Sequence, residues 1–170
     1  NSVVYLGIYN CLRNFNYFGG LTKKAIRYYS NTGGFGIDGG CSTLIGMSLS
    51  NPENLYFGFI GDLGFFYDMN SIGNKHIGRN VRIMVINNGT GMEMELYSSG
   101  VTISKSDYGH YCSARGHFGE KSRDIVKHFA EDMGFVYLSA DNEDDFIKQL
   151  RIFTNPQITE KPILMEVFTD

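Results

Sequence analysis

The sequence predicts an α/β domain, a doubly wound, mostly parallel six-stranded sheet with helices on both faces. Three observations predict it. Short runs rich in β-branched and aromatic residues recur along the chain, stretches with helical spacing lie between them, and strands such as Arg82-Ile83-Met84-Val85-Ile86 show no regular polar alternation. A sheet covered on both faces has no need of that alternation, and strand followed by helix, repeated, implies parallel pairing.

In chain order, a strand is expected at residues 3–8, then a helix at 10–17 and a second strand at 26–30. A helix at 40–49 leads to a strand at 55–60, and a helix at 65–78 to a strand at 81–86. The last part reads as helix 121–133, strand 135–138, helix 143–153 and strand 163–168. Asp141-Asn142-Glu143-Asp144-Asp145 stands ahead of the 143–153 helix, where the helix dipole favours acidic residues, so capping explains this cluster without calcium. Residues 121–127 alternate charges on a helix start and read as a solvated face.

A chain of 170 residues with 42% apolar content suffices for one core and one domain. The net charge of −3 and the scattered basic residues mark no nucleic-acid or membrane surface. No apolar run approaches a membrane span and no signal peptide is recognisable, so a soluble, cytoplasmic protein is expected. Cys11, Cys41 and Cys112 are odd in number and irregularly spaced, which argues for reduced thiols over disulfides or a paired-cysteine zinc site. Glycines cluster before Thr43 and around Gly89, as in backbone built around a ligand.

Doubly wound sheets bind ligands beyond the carboxyl ends of their strands. Two such ends carry chemistry here, Gly61-Asp62-Leu63-Gly64 after the third strand and Asn87-Asn88-Gly89-Thr90-Gly91 after the fourth. Asp62 supplies a hard anionic oxygen, Asn88 an amide oxygen and Thr90 a backbone carbonyl. With two diphosphate oxygens and a water, these complete an octahedral shell suited to Mg²⁺. A helix starting near Gly64 would turn its positive end to the same diphosphate. The plainer alternative is that Gly61 and Asp62 form a strand-to-helix turn in which Asp62 caps the helix.

Ile45-Gly46, Pro52, Phe57, Phe59 and Gly61-Asp62, followed by Asn87-Asn88, resemble the signature of the thiamine diphosphate enzymes, in their C-terminal diphosphate-binding domain. Residues 64 to 87, 24 positions, separate Leu63 from Asn88, and Leu63 stands where the family pattern has a small residue. The likeness covers nearly the whole chain and implies the thiamine diphosphate-binding fold, with thiamine diphosphate and Mg²⁺ as cofactors. It assigns Asp62, Asn88 and Thr90 to the metal, and Gly36, Ile37, Asp38, Gly61, Leu63 and Gly64 with them to the cofactor.

Residues 61–70 and Tyr29-Ser30-Asn31-Thr32-Gly33-Gly34-Phe35-Gly36-Ile37-Asp38-Gly39 look most like the menaquinone-pathway synthase branch, which joins 2-oxoglutarate to isochorismate. That likeness implies decarboxylation of a 2-oxo acid and transfer of the acyl-anion equivalent, with Ile37 wedging the cofactor into its bent form; core packing is the other reading of Ile37. The branch carries a substrate arginine where Thr32 stands, so one carboxylate clamp is missing. Arg13 matches a second substrate arginine, and otherwise lies on a solvated helix. A 2-oxo acid decarboxylase or an acetolactate synthase-type enzyme therefore stays open. Beyond Asn88, the apolar residues Met92, Met94, Leu96 and Tyr97 follow the branch only loosely.

In this family the activating Glu belongs to a pyrimidine-binding domain, and no such domain fits in the 170 residues. Glu93, Glu95 and Glu120 do not follow its pattern. The resemblance thus implies no catalytic residue in this chain, an inactive isolated domain, a pyrimidine-binding partner on the same or another polypeptide, and a homo-oligomer with active sites at a dimer interface. A non-catalytic binding module is the alternative of a different class, although Asp62 and Asn88 are retained. A dinucleotide site is opposed by the spacing of Gly33-Gly34-Phe35-Gly36. His110, Cys112 and His117 lack a supporting carboxylate or paired-cysteine spacing for a metal or nucleophile site and read as a loop near the cofactor mouth, from which His110 or His117 could touch substrate.

Overall fold

A computed structural model describes residues 1–19, 26–34, 36–91 and 122–169. The strands are β1 (Ser2–Leu6), β2 (Arg27–Tyr29), β3 (Leu55–Gly61), β4 (Val81–Asn87), β5 (Val136–Ala140) and β6 (Ile163–Phe168). The helices are α1 (Asn10–Phe18), α2 (Gly40–Ser50), α3 (Asp62–Asp68), α4 (Ile125–Asp132) and α5 (Glu143–Phe153), with a 3-10 turn at Met69–Gly73. All six strands pair in parallel, in the order β2-β1-β3-β4-β6-β5. The predicted doubly wound sheet is present and wholly parallel.

Alternate residues of the strands serve two cores. On one side Val3, Tyr5, Tyr56, Ile60, Val81, Ile83, Val85 and Leu164 pack with residues of α2, α3 and α4. On the other, Met84, Ile163 and Met165 pack with Phe146, Leu150 and Phe153 of α5. Gly58 lets α2 approach the sheet closely, since a Cβ there would stand 2.5 Å from Leu44 Cδ2. Two buried charges interrupt the apolar strands. Arg82 of β4 spends its guanidinium on the carbonyls of Phe153, Asn155 and Gln157, each at 2.5 Å, tying the end of α5 to the sheet. Glu166 of β6 is equally inaccessible.

Four predicted boundaries are corrected. The third helix begins at Asp62 and ends at Asp68, where the chain tightens into the 3-10 turn; buried Ile72 continues the apolar spacing, but the α-helix does not. The first strand stops at Leu6 because Tyr9, at φ 69°, turns the chain into α1. The second is only three residues long, Arg27–Tyr29. The acidic cluster behaves as capping predicts: Asn142 accepts from the Asp145 N–H at 2.9 Å, and Glu143, Asp144 and Asp145 occupy the first turn of α5. The helix expected from residue 121 begins only at Ile125, after a turn; Arg123, ahead of it, is exposed, bridges Asp141 at 3.5 Å and covers the Phe168 ring at 4.3 Å. Among the described residues no helix is long and apolar enough to cross a membrane.

Candidate functional site

Chain direction across the sheet reverses between β1 and β3: β1 leads to β2 on one side, and β3 leads to β4 on the other. The loops leaving such a pair of neighbouring strands diverge and leave a crevice. A cleft of about 730 Å³ opens there, within the range of cofactor pockets. Ile8 and Tyr9 line it after β1, Gly36, Ile37 and Asp38 before α2, Gly61 to Gly64 after β3, and Asn88, Thr90 and Gly91 after β4. The two motifs at consecutive strand ends do reach one rim.

Local contacts fix these segments to one another. Asp68, at the end of α3, accepts the Ser42 N–H at 2.7 Å and the Ser42 hydroxyl at 2.5 Å, locking α3 to the first turn of α2. Gly39, at φ 72°, turns the chain into α2, a conformation that favours glycine. The 36–39 segment then passes over the start of α3 so closely that a Cβ on Gly64 would stand 3.0 Å from the Ile37 carbonyl oxygen. Ile37, half-buried, and Leu63 thereby face the same cleft.

Asp62 is only 3% exposed. Its Oδ1 accepts the Leu63 N–H and its Oδ2 the Gly89 N–H, both at 2.8 Å. Gly61 is the N-cap of α3, so Asp62 is the first helical residue and not the cap. Burial pushes its carboxyl up to about 6, against the pull of those two N–H groups, and the charge of Glu166 adds to the rise. Among the described residues no cationic side chain pairs with it. Each oxygen retains a lone pair, and the carboxylate lines the cleft. Asn88 Oδ1 accepts the Thr90 N–H at 3.0 Å, which curls this turn beside Asp62 and leaves the amide oxygen one further lone pair. A single carboxylate, an amide and a carbonyl form a hard oxygen set that suits Mg²⁺ completed by phosphate and water. The described residues hold no cluster of three or more His, Cys, Asp and Glu, the sort of set that suits a transition metal.

Of the remaining candidates, Arg13 lies on α1 with its guanidinium 5.6 Å from the centre of the Tyr9 ring, and Tyr9 lines the cleft. Thr32 is exposed and is not among the described residues lining the cleft. Phe35, Met92, Met94, Leu96, Tyr97, Glu93, Glu95, His110, Cys112, His117, Glu120 and Lys121 lie outside the described residues.

Sequence reasoning missed three features. Tyr9, at φ 69°, holds strained backbone at the cleft wall, and no residue type signals that in advance. Cys11 faces the cleft with its thiol pushed up to about 11 by burial and by the charge of Asp62, so it is held as a neutral thiol. Glu166 accepts from Asn87 Nδ2 at 2.7 Å and from the Tyr137 hydroxyl at 2.6 Å. Its signal was available: a lone charge in a strand buried on both faces needs partners.

No family model matches the chain. It is 36% identical over 140 residues to the 2-succinyl-5-enolpyruvyl-6-hydroxy-3-cyclohexene-1-carboxylate synthase of Bacteroides fragilis, an alignment covering 82% of this chain and 24% of that protein. The synthase of the same name from Bacteroides thetaiotaomicron is 36% identical over 147 residues, covering 86% of this chain and 25% of the relative. That of Christiangramia forsetii is 30% identical over 170 residues, covering 99% and 27%. The chain thus spans about a quarter of the length of the curated relatives it matches. Among solved structures, the thiamine diphosphate-dependent 4-hydroxybenzoylformate decarboxylase of Rhodococcus jostii RHA1 shares the fold, with a TM-score of 0.62 and 22% identity over 84% of this chain and 25% of that one. The sheet, the paired motifs at its rim and these relatives agree: the chain belongs to the thiamine diphosphate-dependent enzyme family and is related to a quarter-length portion of its 2-succinyl-5-enolpyruvyl-6-hydroxy-3-cyclohexene-1-carboxylate synthases.

Proposed function

We propose that this chain is a single diphosphate-binding domain and forms the thiamine diphosphate- and Mg²⁺-binding half of an active site, in an enzyme that decarboxylates a 2-oxo acid and carries out carboligation with the resulting acyl-anion equivalent. The observation that carries the reading is Asp62: a carboxylate 3% exposed, facing a cleft of about 730 Å³, with two backbone N–H donors and no cationic partner among the described residues. A buried charge of this kind is costly unless a ligand completes it.

In this reading Asp62, Asn88 Oδ1 and the Thr90 carbonyl would hold Mg²⁺, and the backbone at Gly61 and Gly64 would leave room for the diphosphate. Thiamine diphosphate, when bound, supplies the electron sink for decarboxylation. Ile37, on the 36–38 segment, would hold the cofactor as an apolar wedge, and the apolar walls at Ile8, Ile60 and Ile86 would exclude water. Arg13 and Thr32 are assigned to the substrate side. The proton-relaying Glu comes from a pyrimidine-binding domain, on the same longer polypeptide or a second subunit, with the cofactor between the two at a dimer interface. The chain alone is then inactive. Thr32 in place of an arginine favours, as a second reading, a 2-oxo acid decarboxylase or an acetolactate synthase-type enzyme.

Calorimetric titration of thiamine diphosphate with Mg²⁺ into the assembled protein tests the site. The reading expects binding that needs Mg²⁺ and is lost in Asp62→Ala. Failure of the assembled protein to bind the cofactor would leave a non-catalytic module.

A further inference from the structure

Glu166 has no part in the roles assigned so far, yet like Asp62 it accepts a hydrogen bond directly from the 87–90 turn. It sits inaccessible on β6, beside β4, whose last residue is Asn87. Its two oxygens are divided between two donors, Oε1 taking Asn87 Nδ2 at 2.7 Å and Oε2 the Tyr137 hydroxyl at 2.6 Å. In this network both Glu166 oxygens act as acceptors. Asn87 must therefore turn its NH₂ to Glu166, which leaves Asn87 Oδ1 to accept the Gly89 N–H at 3.1 Å. That same N–H reaches Asp62 Oδ2 at 2.8 Å. A continuous chain of bonds thus runs from Tyr137 through Glu166, Asn87 and Gly89 to Asp62.

We propose that Glu166 is a positioning residue for the cation: by dictating the orientation of the Asn87 amide, it holds the 87–90 turn so that the oxygens of Asn88 and Thr90 stand beside Asp62. The proposal rests on the reading of Asp62, Asn88 and Thr90 as the Mg²⁺ ligands. Glu166 touches neither metal nor substrate in it. Groups one bond removed from a metal's ligands commonly change metal affinity by 10- to 100-fold when lost, because they orient the ligands themselves. Tyr137 works one step further out, saturating the second oxygen so that the first is kept for Asn87. Substitution of Glu166 by Gln preserves its shape but offers Asn87 either an acceptor or a donor, and the amide is then free to turn over.

The test is titration of Mg²⁺, at saturating thiamine diphosphate, into the natural full-length protein or assembly, with the metal-free melting temperature measured in parallel. Glu166→Gln is expected to weaken Mg²⁺ binding by about tenfold, Tyr137→Phe by a smaller factor, both with little change in metal-free melting. In an Asn87→Ala background, Glu166→Gln should add nothing further, since the orientation it controls is gone. Unchanged Mg²⁺ affinity in the single variants, a loss that persists in full in the Asn87→Ala background, or a loss matched by the metal-free melting temperature would overturn the proposal. If Glu166→Gln does not fold, Tyr137→Phe decides between the same outcomes. Asp62→Ala separates the two failures: Mg²⁺ binding by the wild type that ignores Asp62 removes the ligand reading and this proposal together, whereas Asp62-dependent binding untouched by Glu166→Gln or Tyr137→Phe removes only the positioning role.

Discussion

Arg82 and Asp62 belong to neighbouring strands, one within β4 and the other just past the end of β3, and both are buried, at 0% and 3% exposure. The protein treats them in opposite ways. Arg82 is turned inward: the carbonyls of Phe153, at the end of α5, and of Asn155 and Gln157, just beyond it, accept from its two terminal nitrogens, its buried Nε alone lacks a partner, and the Phe57 ring lies 5.5 Å from it. Burial lowers its pKa, but its dispersed charge is met by the chain itself. Asp62 is left open: two N–H groups meet it, burial holds its carboxyl at about 6, and its free lone pairs face the cleft. A buried charge completed from within is architecture; one completed from outside is a binding site.

The sharpest way to break that contrast is to remove each charge. Arg82→Met leaves three carbonyls without their donor and should cost about 3 kcal/mol or more in urea unfolding, while the folded fraction keeps its cofactor affinity. Asp62→Ala should do the reverse, weakening Mg²⁺-dependent cofactor binding by roughly 100-fold or more without lowering metal-free stability. Equal effects of the two on both readouts would erase the distinction.

The pH dependence sharpens it next. The Asp62 carboxyl at about 6 lies above the 3.8 of an unperturbed Asp, so without metal its contribution to stability is fully present below 3.8 and lost as pH rises through about 6. Metal needs the ionised form, so the dependence of binding is opposite. Mg²⁺ affinity should fall by about tenfold per pH unit below 6, where a proton competes for the carboxylate. Titrations at several pH values check this, and a pH-independent affinity would contradict it.

A smaller effect is expected at Gly64. A methyl group there would stand 3.0 Å from the Ile37 carbonyl oxygen, and backbone must shift to admit it. Gly64→Ala should cost about 1–2 kcal/mol and weaken cofactor binding several-fold by displacing the 36–38 segment; melting and titration on one preparation measure both.

The alternation of strand and helix was legible because each element carries its own apolar pattern. Asp62 and Asn88 were legible because chemistry at consecutive strand ends must share a rim. Long-range choices were not. Nothing in residues 62–78 shows that the α-helix ends at Asp68, because the Ser42 contact that engages Asp68 comes from 26 residues away. The placing of β6 between β4 and β5 is likewise a matter of packing. The partners of Arg82 and Glu166 are not legible either: burial on both faces obliges each to find hydrogen bonds, but the groups that supply them come from α5, its following loop, β4 and β5. Tyr9 could not be foreseen, since its strain is imposed by the connection from β1 to α1.

The most direct test of the central claim is a crystal structure of the assembled protein with thiamine diphosphate and Mn²⁺ in place of Mg²⁺, read by anomalous scattering. The account predicts one strong peak at coordination distance, about 2 Å, from an Asp62 oxygen, Asn88 Oδ1 and the Thr90 carbonyl. A peak elsewhere, or cofactor bound in the cleft with Asp62 touching no metal, would contradict it.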